Sequence, residues 1–243
     1  MNMTDFDPEM IDKELNSHGY LILRDQELER QCEAARKEYE VYLKTATLHP
    51  PRERFDYERL RRKPWRKLAI GSTNGLGDPI AQNLQSTYFN SNDENYPALG
   101  SLFKSMIAVR NTLMRVDMDF GENPKRDGFW NACRVHHYPR GGGFMCLHRD
   151  AYFPNKLADK DKLFYQMLVL LSRKNVDFFT GGGVLVSFKD EKIDVETEGG
   201  FGSMILYDGR TKHGVEDVDL DQIIDFSRSD GRIAALINLY CTT

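Results

Sequence analysis

Residues 134–150 have the sequence RVHHYPRGGGFMCLHRD, and this stretch carries much of the structural information in the chain. The aromatic and apolar segment that ends at Tyr138 is typical of a β-strand, and the glycines at 141–143 indicate a turn. The chain then returns in extended conformation to His148 and Asp150. Because side chains two positions apart on a strand point to the same side, His148 and Asp150 could bind one metal ion together.

A third metal ligand is predicted at His213, which would come from a different strand. Two histidines and one carboxylate on one side of a metal ion leave the opposite side open, as in non-haem Fe(II) sites that activate O2. An isolated His-x-Asp is weak support, since the chain has six histidines and a surface pair would also explain it. His136 is an alternative ligand, but it lacks an aspartate two positions later, which favours a lining or hydrogen-bonded histidine.

The last predicted strand, after Gly231, indicates a cavity lined by polar side chains. One of its faces is uniformly apolar and consists of Ile233, Ala235, Ile237 and Leu239. The other face consists of Arg232, Ala234, Leu236, Asn238 and Tyr240. A buried arginine requires an anion, and its planar guanidinium suits a carboxylate held by two parallel hydrogen bonds. Alternatively, Arg232 is a surface residue at the start of the strand, because Asp230 and Gly231 mark a turn.

In this order, the motifs resemble those of the 2-oxoglutarate-dependent Fe(II) oxygenases, and within them the prolyl 4-hydroxylase-like branch. The shared elements are a tyrosine before a glycine turn, His-x-Asp, glycines before a strand, a distal histidine and Gly-Arg on the last strand. The resemblance implies an α+β fold with a double-stranded β-helix (jelly-roll, cupin-like) core at about 130–243. It also implies N-terminal helices packed on one sheet, all within a single domain, 1–243.

The resemblance further implies Fe(II), 2-oxoglutarate as cosubstrate, and O2. The implied metal ligands are His148, Asp150 and His213. Arg232 and Tyr138 would hold the far carboxylate of 2-oxoglutarate. The stretch 216–230 before the last strand is longer than is usual in the family, so Arg228 is the alternative anchor for this carboxylate.

Candidate substrate-binding residues are Arg134, Trp130 and Arg210. The expected reaction is hydroxylation of an unactivated C–H bond in a small polar metabolite, an amino acid or a biosynthetic intermediate, with release of succinate and CO2. Related halogenases have glycine or alanine in place of the carboxylate ligand, so Asp150 favours hydroxylation or desaturation. The alternative function is a non-catalytic metal-binding cupin-type binding or scaffold protein. A zinc hydrolase is a third interpretation, and it leaves Arg232 unexplained.

Composition and charge favour a soluble, cytoplasmic enzyme, and the compact size of the chain favours a small-molecule substrate. The 243 residues carry a formal net charge of −4, so we expect neither nucleic acid nor a membrane as a partner. The four cysteines form no CxxC pair, which is typical of reduced thiols. The locally basic segment 52–67 is interpreted as a lid that presents positive charge to an anionic substrate, with a solvated loop or a nucleic-acid contact as the alternatives. The oligomeric state is left open.

The N-terminal half is predicted to be mainly helical. Helices are expected at 8–17 with Asp7 as N-cap, at 26–44, and at 96–119. A short strand is expected at 19–23, and the segment 51–79 is interpreted mostly as loop because it is rich in Arg, Pro and Gly.

Overall fold

The computed structural model describes residues 7–46, 48, 57–73, 80–150 and 165–241. Its helices are α1 (Pro8–His18), α2 (Gln26–Thr45), α3 (Tyr57–Leu60), α4 (Pro97–Leu113), α5 (Pro124–Asp127) and α6 (Val195–Glu198). Asp7 and Asp25 are the N-caps of α1 and α2, and their carboxylates accept hydrogen bonds from free backbone N–H groups of the first turn. The first two predicted helices are therefore confirmed. No helix in the described ranges has the length and apolar character needed to cross a bilayer.

The remaining elements form one curled antiparallel sheet. Its strands are β1 (Tyr20–Leu23), β2 (Trp65–Thr73), β3 (Ile80–Phe89), β4 (Phe129–Tyr138), β5 (Gly143–His148), β6 (Tyr165–Leu170), β7 (Gly182–Val186), β8 (Lys192–Asp194), β9 (Met204–Asp208), β10 (Lys212–Val218) and β11 (Arg232–Cys241). The order across the sheet is β1-β9-β6-β11-β4-β3-β5-β10-β7-β8, and β2 pairs with β3.

This order contains the two four-stranded layers of a jelly roll. We call β9-β6-β11-β4 the helix-side sheet and β5-β10-β7-β8 the outer sheet. Strands that follow one another in the chain mostly fall into different sheets, as from β4 to β5 and from β10 to β11, and β5 and β11 then pair with strands distant in sequence. The exception is β7 and β8, which pair with each other in the outer sheet. The predicted double-stranded β-helix is confirmed.

The helices pack on the outside of the helix-side sheet. A single apolar cluster joins side chains of α1, α2 and α4 to Val135 of β4, Val169 of β6, and Ile233 and Ile237 of β11. On β11, Ile233, Ala235 and Ile237 of the predicted apolar face thus pack against the helices. Arg232 and its alternating neighbours point into the barrel.

Two sequence-based expectations are wrong in detail. The part of 51–79 predicted as loop contains β2, which pairs with β3 from Trp65↔Tyr88 to Thr73↔Ile80 and therefore extends the sheet beyond the predicted core range. Charged and glycine residues on β2 hide its strand pattern, and they are tolerated because β2 has one partner strand among the described elements. Helix α4 ends at Leu113 rather than near 119, and Arg115 follows with a positive φ of 52°.

Candidate metal centre and adjoining cavity

Strand pairing in the outer sheet brings the three predicted metal ligands together. His148 is the last residue of β5, and it lies directly opposite His213 of β10. Asp150 follows two residues after the end of β5, and its two oxygens lie 3.7 Å from His148 Nε2 and 3.6 Å from His213 Nε2. The potential ligand atoms of the three residues all lie within 4.8 Å of one another. One metal ion could therefore contact all three side chains.

Both imidazole rings are oriented by the backbone. His148 Nδ1 lies 2.8 Å from the carbonyl oxygen of Cys146, and His213 Nδ1 lies 3.0 Å from that of Thr211. A carbonyl oxygen only accepts, so Nδ1 carries the hydrogen in each ring and Nε2 keeps a free lone pair. Metal-binding histidines are usually held in this way. The chemistry of the donor set therefore fits a divalent metal such as Fe(II).

The surroundings keep the buried histidines neutral. Burial lowers the pKa of His213 to about 4, even though the Asp150 carboxylate acts in the opposite direction. Burial, followed by the positive charges of Arg134, Arg232 and Lys67, lowers the pKa of His136 well below its ordinary value. His136 lies in the cavity wall with Nδ1 3.3 Å from the Tyr138 hydroxyl and does not join the metal-ligand group. The structure thus favours the lining interpretation of this histidine.

A cavity of about 300 Å³ opens from the metal ligands into the barrel. The lining includes His148, Asp150 and His213 on one side, together with Arg134 and Tyr138 from β4 and Arg232 from β11. Three of the residues on β4 that face inward, at 134, 136 and 138, line it together, because alternate residues of a strand point to the same side. The candidate metal ligands and the candidate anion-binding residues therefore line the same cavity.

Arg232 has a protein carboxylate as its partner. Its side chain is buried, and its Nε donates a hydrogen bond of 2.8 Å to Glu196 Oε1 of α6. Glu196 Oε2 in turn accepts from the backbone N–H of Gly183, and the guanidinium carbon lies 5.2 Å from the centre of the Tyr138 ring. Burial alone would lower the pKa of Arg232, but Glu196 raises it, so the guanidinium stays charged. Sequence reasoning did not find Glu196, because it carries no motif that marks it.

Arg228, the alternative anchor, lies elsewhere. Its side chain is 60% exposed, and its guanidinium pairs with Asp230 through Nε and Nη2. It is not part of the cavity lining, whereas Arg232 is. Of the two arginines, only Arg232 is placed to meet a ligand beside the metal ligands.

The three candidate substrate-binding residues have different positions. Arg134 lines the cavity. Trp130 does not, because it packs between Tyr57 and Tyr240, with ring centres 5.8 Å and 5.1 Å away. Arg210 also lies outside, since Asp208 holds its guanidinium in the turn before β10.

Two lining residues were not singled out from the sequence as substrate contacts. Lys67 of β2 and Tyr88 of β3 both face the cavity. Their only signal in the sequence is alternation on strands, and β2 had not been predicted as a strand.

Comparison with known proteins supports the fold. No protein-family model matches the sequence, and no curated protein matches it. Among solved structures, a prolyl-4-hydroxylase from Pseudomonas putida superposes with a TM-score of 0.55 at 13% identity, over 98% of this chain and 100% of that chain. A prolyl hydroxylase from Trichoplax adhaerens, solved with a peptide fragment of the hypoxia inducible factor oxygen degradation domain, gives 0.52 at 16% identity, over 96% and 89%. At these identities the likeness shows a shared fold.

Proposed function

We propose that this chain is an Fe(II)- and 2-oxoglutarate-dependent dioxygenase that hydroxylates an unactivated C–H bond of a small polar metabolite. One observation carries the proposal: the His148–Asp150–His213 group and the buried Arg232 face the same cavity of a jelly roll. The solved structures that share the fold include prolyl hydroxylases, which is consistent with this chemistry.

The proposed reaction consumes the substrate R–H, O2 and 2-oxoglutarate and yields R–OH, succinate and CO2. One oxygen atom enters the new hydroxyl group and the other enters the new carboxylate of succinate. Fe(II), when bound, would supply the activation of O2 that this oxidation requires. His148, Asp150 and His213 would hold the ion from one side, so that the side facing the cavity stays open to ligands. Asp150 supplies the anionic ligand, which favours hydroxylation over halogenation.

Arg232 is suited to bind the far carboxylate of 2-oxoglutarate. Within the described residues, Arg232 donates one side-chain hydrogen bond, from Nε to Glu196. Its terminal nitrogens therefore remain available as donors. Glu196 thereby fixes the plane of the guanidinium, and the Tyr138 ring covers it from one side. A charged guanidinium held in a fixed orientation at the wall of a cavity is an effective binding site for a carboxylate.

One observation favours a non-catalytic metal-binding protein as the second candidate. Arg232 already has a buried carboxylate partner, so the need of a buried cation for an anion is met without 2-oxoglutarate. In that case the chain would bind the metal ion and would not consume 2-oxoglutarate.

Succinate formation separates the two functions. Purified protein with Fe(II), ascorbate and 2-oxoglutarate should produce succinate slowly without substrate and faster in the presence of a substrate. Asp150→Ala should lose this activity because it removes the anionic metal ligand, while folding is checked by circular dichroism. Wild-type succinate production by Asp150→Ala would contradict the metal assignment, and no production by the wild type at saturating Fe(II) would favour the binding protein.

A further inference from the structure

The cavity has a second cationic end, formed by Arg134 of β4 and Lys67 of β2. Arg134 and Tyr138 lie four residues apart on β4, and Arg232 is directly opposite Tyr138 on β11. At about 3.3 Å per residue, the two arginines are separated by roughly 13 Å along the strands. The Arg134 end is thus distinct from the site proposed for 2-oxoglutarate.

Among the described residues, the positive charges of Arg134 and Lys67 have no carboxylate partner. Arg134 donates to the Tyr240 hydroxyl at 3.0 Å and to the Asn238 side-chain oxygen at 2.8 Å, and both acceptors are neutral. Its Nε is buried and makes no hydrogen bond in the described part of the chain. Lys67 Nζ lies over the rings of Trp65 and Tyr88, at 5.4 Å and 5.9 Å from their centres. Within the described ranges, neither cation forms an ion pair, whereas Arg232 does.

The positive charges of Arg134 and Lys67 change the pKa of the neighbouring Tyr88 hydroxyl. Burial alone would raise the pKa of Tyr88, yet Arg134 and Lys67 together lower it below its ordinary value. A buried positive charge with an unused donor is costly unless an anion joins it. The nearest anionic lining residue is Asp150, which in the proposed enzyme is bound to the metal ion.

We infer that Lys67 and Arg134 bind a carboxylate group of the substrate, so that the substrate is a small carboxylic acid whose aliphatic part extends toward the metal ligands. The Arg134 guanidinium and the Lys67 ammonium, which both line this end of the cavity, would donate to the oxygens of one carboxylate. The ring faces of Tyr88 and Tyr240 would cover the adjacent carbon atoms. The inference rests on the proposed function, and it narrows the polar metabolite to an anionic one.

The fluorescence of Trp65 and Trp130 gives a readout that does not depend on turnover. They are the two tryptophans of the chain, and both lie in the cluster beside this end of the cavity. Protein with Mn(II) and saturating 2-oxoglutarate, kept without O2, is titrated with four- to six-carbon aliphatic acids and with the matching primary amides. We expect the acids to change the emission saturably and the amides to bind at least about tenfold more weakly.

Variants test the assignment to the two residues. Lys67→Met, on an edge strand and partly exposed, should weaken acid binding by about tenfold and leave amide binding unchanged. Arg134→Lys keeps the positive charge but lacks the planar guanidinium, so it should also weaken the binding of the acids. The matched control is Lys104→Met, because Lys104 is exposed on α4 far from the cavity lining.

Three outcomes would overturn the inference: equal binding of acids and amides, unchanged acid binding in Lys67→Met, or tighter binding of butyl phosphate than of any acid. The last result would make this end a phosphate site. Failure of the proposed function is visible separately, because 2-oxoglutarate would then neither raise the melting temperature of the Mn(II)-loaded wild type nor yield succinate with Fe(II).

Discussion

The substitution Glu196→Gln should make the protein less stable and make it bind 2-oxoglutarate more tightly. Glu196 and Arg232 are 5% and 3% exposed, and their side chains are joined by a hydrogen bond of 2.8 Å. Glutamine keeps the shape and one acceptor oxygen, which can still accept from the guanidinium, but it removes the negative charge and turns an NH2 group toward the Gly183 N–H. Removing one charge of a buried ion pair lowers the free energy of unfolding by about 3–5 kcal/mol. Because the hydrogen bond to Arg232 can be retained, we expect a loss of about 3 kcal/mol here. For a chain of this size, the melting temperature should fall by about 6–12 °C.

The same substitution should favour the binding of 2-oxoglutarate. Glu196 and the far carboxylate of 2-oxoglutarate would lie on different sides of the Arg232 guanidinium, roughly 6 Å apart, and at an effective dielectric constant near 20 they repel by about 2–3 kcal/mol. Removing this repulsion, and allowing for partial rearrangement, should tighten binding by about tenfold or more. The rise in melting temperature on adding 2-oxoglutarate should therefore be larger in the variant than in the wild type.

The assay is thermal unfolding, followed by circular dichroism, and calorimetric titration with 2-oxoglutarate in the presence of Mn(II). Glu198→Gln is the matched control, since it makes the same change at an exposed position of the same short helix. We expect the control to behave as the wild type in both measurements. A Glu196→Gln variant with unchanged or weaker affinity for 2-oxoglutarate would refute the argument that this carboxylate competes for Arg232.

Three further predictions concern single side chains. His213→Ala should lose affinity for Mn(II) in calorimetry, whereas His136→Ala should keep it; the reverse pattern would move the metal centre. Arg232→Ala should weaken 2-oxoglutarate binding by about 30-fold or more, since it removes a buried charged partner, and Arg228→Ala should not. Burial lowers the pKa of His137 to about 4 from 6.5, so between these values the unfolded chain binds a proton that the folded chain does not. Stability to urea should fall as the pH falls from 6.5 to 4, by up to about 3 kcal/mol from this group, and His137→Gln should show a shallower decline.

Sequence reasoning found the features that depend on residues close together in the chain. The apolar face of the last strand depends on neighbours two positions apart, and it is confirmed. His148 and Asp150 also lie close in sequence, and a motif order then indicated His213 as their partner.

The features that it missed depend on contacts between distant segments. Glu196 lies in a four-residue helix, and its role appears only when β11 brings Arg232 beside it. Trp130 has the same strand parity as Arg134, yet Tyr57 and Tyr240 enclose it at the end of the barrel. Neither spacing nor residue type reveals which end of a strand is covered.

The proposed metal ligands and the proposed substrate-binding residues lie in different sheets, which bears on how such a chain could acquire a new substrate. The outer sheet supplies His148 and His213, whereas the helix-side sheet and its extension supply Arg134, Arg232 and Lys67. Mutations on β2 or β4 can therefore alter recognition while the metal-binding strands stay intact. In the proposed enzyme, substitutions on these two strands could adapt the substrate site to acids of different length or shape without changing the proposed metal ligands.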